Sequence, residues 1–132
     1  MKQLKIGQVA KQSGLTVETV RYYEQRGLIP EPQRLDSGYR VYPESILTRL
    51  NFINRCKDLG FSLQEISELL SIQIDPDNSS ALVKEQVEHK IELVKEKISE
   101  LQKLQGSLEQ LSGMCCGEGS VSDCPIIDFL KN

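Results

Sequence analysis

From about Ser80 to Ser112 the sequence runs without a proline, and one apolar stripe winds along it. Val87, Ile91, Val94, Ile98 and Leu101 recur at alternating spacings of four and three, and Leu104, Leu108 and Leu111 continue the series. That rhythm is a coiled-coil seam. Gln105 stands where an apolar residue is due, so the register shifts to Leu104. The remaining faces are polar, and a helix of this kind is not stable alone in water. It has to pack on something, and the simplest partner is the same helix of a second copy. A dimerisation helix is therefore the first expectation.

The residues before it form a different pattern. Ile6, Val9 and Ala10 share one face of a short helix, which Gly14 stops. Thr16 is a good N-cap for a second helix carrying Arg21, Tyr22 and Tyr23 and ending before Gly27. Two short helices about a glycine turn read as a helix-turn-helix. After Pro30 and Pro32, the run from Arg34 to Tyr42 reads as two short strands about Ser37-Gly38, which makes an arginine-bearing wing. Pro43-Glu44 is expected to open the next helix, with Ile46, Leu47, Leu50, Phe52, Ile53 and Cys56 on its apolar face. Ser62-Leu63-Gln64-Glu65 is a capping box for another helix that buries Leu63, Ile66, Leu69 and Leu70. Asp75 to Ser79 is a break.

Charge divides the chain in the same way. Residues 1–57 hold 10 Lys and Arg against 5 acidic residues, whereas residues 58–132 hold 6 against 14. The halves thus carry +5 and -8, and only the first suits a phosphate backbone. Aromatics at 5% and the absence of Trp favour a helical fold over a sandwich or barrel. No apolar run approaches the roughly 18 residues that span a bilayer, and the polar start is no signal peptide. The expected location is the cytoplasm, without membrane contact. Thiols stay reduced there, so cysteines read first as metal or redox groups.

Cys116 and Cys124 bracket a seven-residue loop rich in glycine and serine, and Pro125 begins a short apolar helix. Thiolates favour soft ions: Cu(I), Ag(I), Au(I), or the divalent Zn(II), Cd(II), Hg(II) and Pb(II). Structural zinc usually takes four ligands, more than this loop offers. Two thiolates suit a monovalent ion with two-coordinate binding, and a divalent ion needs further donors, among which Cys115 is a candidate. A thiol-disulfide redox regulator is the alternative from another class. Cys56 falls on an apolar helical face and reads as core. No nucleophile-base pair, phosphate loop or carboxylate constellation is present, so an enzyme is not expected.

The stretch IGQVAKQSGLTVETVRYYEQRGLIPEPQRLDSGYRVY, followed by Leu59-Gly60-Phe61-Ser62-Leu63-Gln64-Glu65-Ile66, resembles the MerR family of regulators over essentially the whole chain. The resemblance implies a mainly α fold: a winged helix-turn-helix, a two-helix linker, a long antiparallel coiled-coil dimerisation helix, and a C-terminal metal-binding loop with a short helix. The corresponding boundaries are 1–42 for the winged helix-turn-helix and 43–78 for the linker helices that complete the DNA-binding domain. Residues 79–113 form the dimerisation helix and 114–132 the loop and terminal helix.

In that picture Arg21 and Tyr22 of the second helix, with Arg34, Tyr39 and Arg40 of the wing, match DNA-contacting positions, and Thr16 is taken with them. The tail looks like that of the copper-efflux and gold-sensing subgroup, which ends in Cys, seven residues, then Cys-Pro-Ile, as Cys116 and Cys124-Pro125-Ile126 do here. Divalent sensors carry a further cysteine where this chain has Ser80, so Ser80 is expected to set metal selectivity. Cys115 departs from the copper pattern. The implied function is a homodimer that binds promoter DNA and, on taking up a monovalent soft ion at Cys116 and Cys124, distorts the duplex so that RNA polymerase engages metal-efflux or resistance genes.

Overall fold

The computed structural model describes residues 2–132, ordered as two compact units that meet between Gln86 and Val87. That boundary falls inside the long helix and not in the break at residues 75–79. The first turn of the helix is tied back to the break, with the Leu82 N–H donating to the Ser79 carbonyl and the Ala81 N–H to the Ser79 hydroxyl.

The first unit begins with strand β1 (Gln3–Lys5) and helices α1 (Ile6–Ser13) and α2 (Val17–Gln25), followed by strands β2 (Gln33–Arg34) and β3 (Arg40–Pro43). Helices α3 (Ile46–Asp58) and α4 (Leu63–Ile74) complete it. The turn between α1 and α2 follows from local chemistry. Gly14 adopts φ 72°, a left-handed conformation that a side chain would resist, and so ends α1. Thr16 then caps α2, its hydroxyl accepting from the Thr19 N–H at 3.1 Å.

The three strands form an antiparallel sheet in the order β1-β3-β2, with Leu4 opposite Tyr42 and Arg34 opposite Arg40. Two features depart from the sequence reading. Strand β1 was not expected, because only Leu4 of its three residues points inward. Pro43 ends β3 opposite Gln3 instead of opening α3, which starts at Ile46 after Ser45. Proline is tolerated at a strand end because it has no N–H to give the ladder.

One core unites these elements. Val9 of α1, Val20 and Tyr23 of α2, Leu50 and Ile53 of α3 and Ile66 of α4 are buried together, with Tyr42 of the sheet among them. Cys56 belongs to this core, and burial pushes its thiol above the usual range. Phe52 and Leu63 are half-buried against it. The expected capping box forms at α4: the Ser62 hydroxyl accepts from the Glu65 N–H at 3.1 Å, and the Glu65 carboxylate accepts from the Ser62 N–H at 2.8 Å.

The second unit consists of the larger part of α5 (Ser80–Ser112), a short 3-10 turn (Val121–Asp123) and α6 (Pro125–Lys131). At 33 residues α5 is about 50 Å long, and none of its residues is buried. The seam residues Val87, Ile91, Val94, Ile98, Leu101, Leu104 and Leu108 are between 42% and 57% exposed, so the stripe is formed but uncovered within one chain.

Candidate nucleic-acid interface and thiol loop

Helix α2 and the wing present the residues singled out from the sequence. Thr16, Arg21 and Arg34 are exposed, and the rings of Tyr22 and Tyr39 are 45% and 62% exposed, too open to be core. Tyr23, beside Tyr22, is the ring that packs inward. Lys5 Nζ lies 5.2 Å from the centre of the Tyr39 ring, a cation–π distance that holds the wing tyrosine near a second cation. Arg40 is different. Its side chain is 30% exposed, and Nη1 reaches Glu24 Oε2 of α2 at 3.2 Å.

The same Glu24 oxygen accepts a hydrogen bond from the Tyr42 hydroxyl at 3.0 Å. Tyr42 is buried, and its hydroxyl pKa is pushed from 10.0 up to about 12, chiefly by desolvation and then by the bond to Glu24. Two longer-range bonds brace the helix pair. Arg49 Nε of α3 donates to the Leu28 carbonyl at 2.6 Å, and Asn54 Nδ2 donates to the Ser13 carbonyl at 3.0 Å. Both carbonyls lie just where α1 and α2 end, so α3 ties down the two ends of the helix-turn-helix. Sequence reasoning did not single out Glu24, Arg49, Asn54 or Lys5. Their partners, apart from the local reach of α2, lie far along the chain, and no spacing rule signals them.

The thiol loop is built from backbone turns. Cys124 precedes α6, and Pro125 occupies the first helical position, where its missing N–H costs nothing. The free N–H groups of that first turn face the Cys124 sulfur: hydrogen bonds from Ile127 and then Ile126, with a thiol contact to Cys115, hold its pKa below the usual value. Desolvation and the Asp128 carboxylate oppose the shift. Cys115 Sγ also accepts from the Gly117 N–H at 3.4 Å, while Cys116 is exposed. The loop thus brings Cys115 to Cys124 and leaves Cys116 facing solvent. Ser80 is exposed at the start of α5. Among the described residues no group of three or more His, Cys, Asp or Glu side chains is gathered for a metal. The donors fit a soft ion: three thiols in one short loop, one disposed to ionise.

No helix among the described residues is long and apolar enough to cross a membrane. Comparison with known proteins is consistent along the chain. Residues 4–72 match the family described as MerR HTH family regulatory protein, and residues 47–111 match the one described as MerR, DNA binding. The HTH-type transcriptional regulator ZntR of Escherichia coli K12 is 41% identical over 129 residues, covering 96% of this chain and 92% of that protein. The HTH-type transcriptional regulator CueR of Vibrio cholerae is 40% identical over 128 residues, covering 97% and 91%. Among solved structures, the transcription regulator PbrR691 of Ralstonia metallidurans CH34, in complex with lead(II), superposes with a TM-score of 0.89 at 35% identity, covering 96% of this chain and 98% of that one. The winged helix-turn-helix, the helices that brace it and the long helix that follows therefore have one explanation: the chain belongs to the MerR family of helix-turn-helix regulatory proteins.

Proposed function

We propose that this chain is a homodimeric transcription regulator of promoter DNA, controlled by a soft, singly charged metal ion, Cu(I), Ag(I) or Au(I), held by Cys116 and Cys124. The carrying observation is the composition of the thiol loop, with two cysteines eight positions apart at α6, one lowered in pKa, and a serine, Ser80, opening α5. A serine hydroxyl is a poor donor for a soft ion, so the chain lacks the extra thiolate there that a divalent ion would use.

The uncovered seam supports dimerisation. Burying about half of each aliphatic side chain contributes on the order of 1 kcal/mol per residue, and seven such positions lie on one stripe. The basic stretch of residues 1–57 exposes Arg21, Arg34, Tyr22 and Tyr39, which supports DNA binding, with the arginines against phosphates or base edges. RNA polymerase is the downstream partner of such a regulator. The cytoplasm is the setting this reading needs, since the thiols must stay reduced.

Cys116 and Cys124 would hold the ion, which would supply a soft positive charge at the loop. The chain does the rest. The amides of Ile126 and Ile127 favour the charged form of Cys124. Gly117 and Gly119, both at positive φ, let the loop fold tightly. Cys116 must turn inward from its exposed position, so loop ordering and metal uptake are coupled, and a two-state loop of this kind biases how the paired DNA-binding units hold their duplex.

A second reading is favoured by the contact between Cys115 and Cys124 and by the lead(II) in the solved relative. In it Cys115, Cys116 and Cys124 together serve a divalent ion. In-vitro transcription from a duplex selected on the wild-type protein, titrated with Ag(I), Zn(II) and Pb(II), separates the two. The first reading expects a response to Ag(I) that Cys116→Ala and Cys124→Ala abolish and Cys115→Ala keeps. A response confined to Zn(II) or Pb(II) and lost with Cys115→Ala refutes it in favour of the second. Activation by oxidant in metal-free buffer refutes both.

A further inference from the structure

We propose that Glu24 is a positioning residue of the DNA interface: its carboxylate locks the wing to α2 and withholds the Arg40 cation from the phosphate backbone. The inference rests on the DNA-binding reading above and assigns a role to a residue that the site did not otherwise use.

The geometry is a single oxygen shared by two donors. Glu24 Oε2 accepts from Arg40 Nη1 at 3.2 Å and from the Tyr42 hydroxyl at 3.0 Å. Glu24 lies in the last turn of α2, and Arg40 and Tyr42 stand on the same side of β3, two positions apart. One carboxylate thus fastens the helix that carries Arg21 and Tyr22 to the strand that carries the wing. Its side chain is only 11% exposed, so water competes weakly for the pair, and the fork of Arg40 is turned towards α2. Tyr42 is buried at 1% exposure and cannot swing away, which fixes the carboxylate in turn. Arg34, opposite Arg40 in the sheet, makes no ion pair among the described residues and stays exposed. The two arginines of the wing therefore differ: Arg34 is exposed to meet phosphate, and Arg40 has its charge paired with Glu24.

Counting cations tests this. Each Lys or Arg that neutralises a phosphate steepens the fall of log K with log[salt] by about 0.9. Glu24→Gln keeps an acceptor for Tyr42 and removes the charge that holds Arg40. With metal-free, full-length protein and a random-sequence duplex, Glu24→Gln should steepen the slope by about 0.9 per protomer. Adding Arg40→Gln to that variant should take the increment away again. An unchanged slope in Glu24→Gln, or a steeper slope that survives Arg40→Gln, overturns the proposal.

A second readout does not depend on the variant folding. In the wild-type protein the guanidinium NMR signals of Arg40 should show restricted rotation both free and with random duplex added. Averaging of those signals when duplex is added overturns the proposal. Failure of the wild-type protein to bind any duplex is a different result, which sinks the DNA-binding reading itself.

Discussion

Replacing Tyr42 with phenylalanine removes one oxygen from the wall between the wing and α2 and leaves the ring in its place. The ring is 1% exposed, so the apolar packing of the core is kept. What is lost is the 3.0 Å hydrogen bond to the Glu24 carboxylate. A bond to a charged group contributes about 1.5–3 kcal/mol; because Arg40 still neutralises Glu24, the lower end, about 1.5 kcal/mol, is expected. For a unit that ends at Gln86, a change of that size lowers Tm by roughly 6–12 °C.

The pH dependence gives a sharper test. The folded-state pKa of Tyr42 is raised from 10.0 to about 12, so the contribution is fully present below the unfolded value and is lost as pH rises through the folded one. The difference in Tm between wild type and Tyr42→Phe, followed by circular dichroism, should hold steady up to about pH 10 and shrink towards pH 12. A Tm difference below about 2 °C at neutral pH, or one that grows with alkalinity, would refute the reasoning.

Three further outcomes follow from the same structure. Thr16→Ala removes the hydroxyl that accepts from the Thr19 N–H and should destabilise the first unit by about 1 kcal/mol in urea unfolding, with Thr16→Ser recovering most of it. Ile98→Asp places a charge in the middle of the exposed seam and should convert a dimer into a monomer in sedimentation at micromolar concentration, while far-UV signals of the first unit persist. Ser80→Cys supplies a thiol at the start of α5 and should raise the response to Zn(II) or Pb(II) at least tenfold relative to Ag(I) in the transcription assay.

The sequence by itself determined every element whose signal is local. The proline-free stripe from Val87 to Leu111 specified α5, Gly14 and Thr16 specified the turn of the helix-turn-helix, and Ser62 with Glu65 specified the start of α4. In each case the residues that interact lie within one or two helical turns, so spacing alone records the interaction. Cys56 was legible as core for the same reason. Tertiary structure decided whatever depends on partners far along the chain. Strand β1 exists because Leu4 finds a place opposite Tyr42, a pairing across almost forty residues that three residues of sequence cannot announce. Pro43 looked like a helix start and became a strand end because β1 offered it a neighbour. Arg40 was singled out by its resemblance to a DNA-contacting position, and only the fold shows Glu24, sixteen positions earlier, against it. In the loop, spacing pointed to Cys116 and Cys124, and only the fold shows that Cys115 also meets Cys124 and that Cys116 is exposed. Periodicity reports which face a side chain occupies, but which charge or thiol meets it there is decided by packing between distant segments.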